Sequence, residues 1–74
     1  MVSDKIIIAR IIAAAKRHKI SIRKLAEQAG MNPQRLYNIN HGKCALRIGE
    51  AAALAHALAQ PLESFLKEED SDEN

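Results

Sequence analysis

The stretch from Ile22 to Ile39, IRKLAEQAGMNPQRLYNI, decides the fold. It reads as a short helix, a tight turn and a second short helix. Leu25, Ala26 and Ala29 recur at helical spacing on one face of the first segment. Gly30 follows where the chain must leave the helix with a positive φ, a conformation glycine adopts without strain. Asn32 offers a side-chain oxygen to the free N–H groups of the next helix, and Pro33 stands at its first position with φ already set. Leu36 and Ile39 are the apolar pair of that helix, and Gly42 lies just past its end.

Outward from this pair, residues 4–18 read as a first helix. Ile7, Ile8, Ile11, Ile12 and Ala15 form a stripe suited to lying on a core, with Ser3 or Asp4 able to cap the start. The β-branched run Ile6–Ile7–Ile8 could equally open a strand, but the stripe continues into an alanine-rich stretch, which favours helix. Ile6 is left over, as an exposed residue or part of a partner contact. Ser21 is a good N-cap for the second helix, over about 22–29, and the third spans about 33–40. His41 to Arg47 is a loop. A fourth helix is expected over 48–59 with Ala51, Leu54, Ala55 and Leu58 on one face, and a fifth over 61–68, started by Pro61 and carrying Leu62, Phe65 and Leu66.

The net charge of +2 hides an asymmetry: residues 1–67 hold all 11 Lys and Arg against four acids, whereas EEDSDEN at 68–74 holds the other five. A basic domain over 1–67 with an acidic tail expected to lack fixed structure suits a polyanion partner on the domain. No apolar run approaches the ~20 residues that span a bilayer, and no secretion signal opens the chain. The single Cys44 can make no internal disulfide, and three scattered His with one Cys give no metal-binding spacing, so a reducing cytoplasm is the expected setting, with no metal or cofactor. No catalytic set stands out, and the chain reads as no enzyme. Cys44 near Lys43 and Arg47 is the one reactive-group candidate, as a redox sensor.

The spacing of Leu25, Ala26, Gly30, Leu36, Ile39 and Gly42–Lys43 resembles the Cro/repressor-type (XRE-type) helix-turn-helix. The closing ALAHALAQPLESFL is similar to the end of that family's domain, so the resemblance covers about residues 5–67. It implies an all-α fold of five helices, lambda-repressor-like, with the helix-turn-helix as helices 2 and 3. It also implies a small transcriptional regulator, a repressor, that binds double-stranded DNA as a homodimer on a roughly palindromic site, with helix 3 in the major groove. Gln34 and Asn38, four apart on one face, are then the candidates for base readout, since either amide can bond adenine through N6 and N7. Pro33 and Tyr37 join them. Pro33 either touches a thymine methyl or only stiffens the helix start; Tyr37 reaches a phosphate or a thymine methyl, or packs across the helix 3–4 corner. Phosphate contacts fall to Ser21, Arg23, Asn32, Arg35, His41, Lys43 and Arg47, and the dimer surface to Leu62, Phe65 and Leu66, which could instead close the monomer's own core.

Three positions depart from the family's habit. Pro33 stands where a polar, base-contacting side chain is common, Ile22 where a Gln often anchors the DNA backbone, and Asn40 where a Glu is often paired with an Arg of helix 1. Two rival readings stay open: an antitoxin, many of which share this fold, that regulates its own promoter and holds a toxin on another surface with the acidic tail as the part to watch, and a protein-interaction module that has lost DNA binding, which Pro33 and Ile22 keep open.

Overall fold

Ser3 begins the first helix: its hydroxyl accepts the N–H of Ile6 at 3.4 Å, and α1 runs Asp4–Arg17. The computed structural model describes residues 3–66, and the acidic segment expected at 68–74 lies outside them. Four more helices follow, α2 (Ile22–Ala29), α3 (Pro33–Asn40), α4 (Ile48–Ala57) and α5 (Glu63–Leu66), and no strand occurs among the described residues. The all-α expectation, with the turn pair as α2 and α3, matches this order.

Each start has a local cause. Ser21 accepts the N–H of Lys24 at 3.1 Å and Asn32 accepts that of Gln34 at 2.8 Å, each satisfying a donor that the first helical turn leaves free. Gly30 ends α2 at φ 75°, and its N–H returns to the Glu27 carbonyl. Gly42 leaves α3 at φ 79°. Lys19 (φ 59°) and Ala59 (φ 57°) take the same left-handed conformation after α1 and α4 without the freedom of glycine.

The last two helices are shorter than their sequences suggest. α4 stops at Ala57, not at 59, because Leu58 caps it and Ala59 turns left-handed; Pro61 disfavours helical geometry in the residue before it. Pro61 and Leu62 form a tight turn whose carbonyls accept the N–H groups of Ser64 and Phe65, so the regular part of α5 begins at Glu63.

The core is one cluster. The α1 stripe of Ile7, Ile8, Ile11, Ile12 and Ala15 is buried, joined by Ala14, and meets Leu25, Ala26, Leu36, Ile39, Leu46, Ala51, Leu54, Ala55, Leu58 and Phe65. Ile6 is half-buried. Burying an apolar side chain of this size contributes ~1.5–3 kcal/mol each, so Leu36 and Ile39 hold α3 firmly by one face. Two polar contacts close the ends. Asp4 accepts the N–H of Leu46 at 3.2 Å, tying the α3–α4 loop to the start of α1, and Arg10 donates to the Phe65 carbonyl at 3.0 Å, tying α5 to α1.

Phe65, assigned to the dimer surface with the monomer's own core as the alternative, takes the second place: it is 3% exposed, a core side chain of its own protomer, and has no face to offer a second copy. Leu62 and Leu66 are half-buried against the same core and keep part of their surface free.

Candidate nucleic-acid interface

The site begins with α3. Eight residues make a rod about 12 Å long, and Leu36 and Ile39 turn one side of it into the core. The other side carries Gln34 and Tyr37, both exposed, and half-buried Asn38. Gln34 Nε2 donates to Asn38 Oδ1 at 3.1 Å, so the two amides form a pair along one face. That bond uses one proton of the Gln34 amide and leaves Oε1 as an acceptor and the second proton as a donor, the two kinds of group that adenine complements in the major groove.

Tyr37 is 44% exposed, and its ring lies against His41, centroids 4.1 Å apart. His41 is fixed in turn by a 3.0 Å contact of Nδ1 with the Tyr37 carbonyl.

At the other end of the rod an open groove of about 550 Å³ runs between the starts of α2 and α3. Ile22, Arg23, Asn32, Pro33, Gln34 and Tyr37 line it. The fold thus brings together five of the sequence-derived candidates and adds Ile22. Ser21 stands at the head of α2, capping it. Arg23 is exposed and forms only a loose pair with Glu27 at 3.7 Å. His41 and Lys43 are exposed at the far end of α3, beyond the groove. Arg47 is exposed as the residue that caps α4.

Arg35 holds a different position from the one its charge suggested. Its Nε and Nη2 grip both carboxylate oxygens of Glu50, Nη2–Oε1 being 3.0 Å, and Nη2 also reaches the Ala45 carbonyl at 3.3 Å. Glu50 Oε1 accepts the Arg47 N–H at 3.0 Å as well, so one carboxylate caps α4 and bolts α3 to it. The hydrogen bonds from Arg35 hold the Glu50 carboxyl below its usual range, with the Arg47 N–H adding to the effect, and Glu50 raises the Arg35 guanidinium in return. The guanidinium expected on a phosphate is occupied inside the protein.

Sequence reasoning missed this bolt. Half of its signal was present: Glu50 is the third residue of α4, the place from which an acid reaches back to the cap. The half that joins α3, fifteen residues away, carried none. The groove's third apolar wall, Ile22, was also missed as a site residue.

With the geometry in place, the chain can be set beside known proteins. Residues 10–67 match the model of the Cro/C1-type HTH DNA-binding domain. No curated protein matches. Among solved structures, the chain is similar to two crystal structures of the clp gene regulator ClgR from Corynebacterium glutamicum, each 20% identical and covering 89% of this chain. One has a TM-score of 0.79 and is covered over 70% of its length; the other has 0.78 and 86%. At that identity the likeness shows the fold. The family match spans most of the chain and includes α2, the turn and α3, so this protein belongs to the Cro/C1-type helix-turn-helix DNA-binding family.

Proposed function

We propose that the protein is a sequence-specific binder of double-stranded DNA that acts as a small transcriptional repressor, laying α3 in the major groove. One observation carries this reading: α3 is pinned by Leu36 and Ile39, at 0% and 4% exposure, while the amide-bearing face of Gln34 and Asn38 points away from the core. An α-helix is about 10–12 Å across with its side chains, which suits a groove about 12 Å wide, and the polar side of this one faces outward.

Phosphate contacts are assigned to Ser21, Arg23, Asn32, His41, Lys43 and Arg47, flanking the rod at both ends. The free N–H groups at the start of α2 add a positive pole beside Arg23. Arg35 drops from that set because Glu50 holds it. Three cations then remain, and each neutralised phosphate contributes about −0.9 to the log–log salt slope, so the expected slope is roughly −3 per protomer.

The repressor acts as a homodimer with half-sites about one helical turn, ~34 Å, apart. The free parts of Leu62 and Leu66 supply the apolar contact. A gel shift with the DNA upstream of the protein's own gene tests the reading: a discrete complex that resists random competitor DNA supports it, and binding indifferent to sequence refutes it. Sedimentation at micromolar concentration tests the dimer.

A further inference from the structure

Three cations that the DNA contacts leave idle lie together on α1. Lys16 and Arg17 are exposed in its last turn and Lys19 just past it. None pairs with an acid among the described residues. Three of the four acids within residues 1–67 are taken elsewhere: Glu27 by Arg23, Asp4 by the Leu46 N–H, and Glu50 by Arg35. The end of α5 lies beside the same helix. Arg10 donates to the Phe65 carbonyl at 3.0 Å, which sets Leu66, the last described residue, near the middle of α1. Arg17 stands seven residues beyond Arg10, two turns on, about 10 Å along the axis and on the same side of the helix. Between them that side carries Ala13 and Ala14, too short to bar a track along it. Eight residues follow Leu66 in the sequence, a reach of about 26 Å. Five of them, Glu68, Glu69, Asp70, Asp72 and Glu73, are acids, set against a domain whose 11 Lys and Arg outnumber its four acids by seven.

We propose that residues 68–74 dock on this α1 strip and keep its cations from DNA, as an internal competitor for the phosphate chain. A single exposed ion pair contributes little, but five acids tethered by a short linker meet the strip at an effective concentration on the order of mM. Lys19 is two residues ahead of Ser21, the head of α2, where the phosphate chain is assigned. Uncovered, the strip would add contacts that are blind to sequence. Covered, it leaves discrimination to the amide face of Gln34 and Asn38. The consequence for DNA rests on the DNA-binding reading; the docking does not.

Two measurements on the full chain test this. The first needs no DNA. A nitroxide carried by Ser71→Cys in a Cys44→Ser background should broaden the amide signals from Ala13 to Lys19 at about 50 mM salt and release them at about 0.5 M. A neutral tail, with Glu68→Gln, Glu69→Gln, Asp70→Asn, Asp72→Asn and Glu73→Gln, should broaden them far less. The second is the salt dependence of binding to random duplex. The neutral tail should steepen the log–log slope by about 2.7, three cations at about 0.9 each. Adding Lys16→Gln, Arg17→Gln and Lys19→Gln should remove that gain, whereas the same three changes in the parent should leave the slope nearly where it was.

Equal broadening with acidic and neutral tails would overturn the docking. An equal loss of slope on removing the three cations with either tail would overturn it too, and would assign the strip to DNA directly. Broadening found only between chains, in a mixture of nitroxide-bearing and isotope-labelled copies, would overturn it in favour of a contact between protomers. The expected broadening in a chain that binds no duplex would refute the DNA-binding reading and leave the docking standing.

Discussion

Gly30→Ala isolates the turn between α2 and α3. A Cβ built at Gly30 meets no atom within 4 Å, so the substitution creates no clash, and its cost is that of the backbone conformation alone. An L-residue in the left-handed region costs ~1–2 kcal/mol, and alanine's smaller freedom in the unfolded chain returns ~0.4–1 kcal/mol. The net loss expected is about 1 kcal/mol. For a domain of this size that is a fall of roughly 4–8 °C in Tm. Ala59→Gly is the mirror experiment: Ala59 holds φ 57° after α4, so glycine there should raise stability by about 0.5–1 kcal/mol. The two sites end different helices, and the double variant should return close to the parent. Thermal and urea unfolding followed by helical circular dichroism measures all three. A loss above about 3 kcal/mol for Gly30→Ala would mean that space, not φ, makes the glycine necessary, and destabilisation by Ala59→Gly would refute the same reasoning from the other side.

Arg35→Met should lower Tm while leaving the salt slope of DNA binding unchanged, because Glu50 already holds the guanidinium; a slope shallower by about 0.9 would return Arg35 to the phosphate contacts. The Glu50 carboxyl is held below its usual range, so its stabilising contribution is complete above about pH 4.3 and is lost as pH falls through the lower folded-state value. Melting curves taken downward from pH 6 should therefore fall less steeply for Glu50→Gln than for the parent. Asn38→Ala frees the Gln34 amide to turn over, and competition assays should show a narrower preference for adenine over guanine at one position, with Gln34→Ala abolishing it. Leu36→Ala, at a fully buried position, should cost ~2–5 kcal/mol in urea unfolding and weaken binding to every sequence alike.

Much of this architecture was legible because its causes are local. Ser21, Gly30, Asn32 and Pro33 each act on residues within one turn, and the α1 isoleucines announce their face by their spacing. What stayed hidden depends on parts of the chain that only folding brings together. The end of α4 at Ala57 came out two residues early because Leu58 and Ala59 are good helix formers that yield to the turn before Pro61. Phe65 could be read along the chain either as dimer surface or as part of its own core, and only the position of α5 against α1, held by Arg10, makes it core. Arg35 carries the same charge on a phosphate as on Glu50, so no pattern along the chain separates the two roles. Of the readout face, Gln34 and Asn38 could be paired by their spacing of four, but the groove that sets Ile22 beside Pro33 exists only in three dimensions.

Ala14, Ala15, Ala26, Ala51 and Ala55 are all buried. Helices that meet through such short side chains approach almost main chain to main chain, and a joint of that kind has few rotamers to exchange. The frame beneath the rod is therefore stiff, and its tilt is not an adjustable variable. A lineage in need of a new operator would have to swap the outward letters at Gln34, Tyr37 and Asn38, and it could do so again and again without redesigning the chassis that carries them.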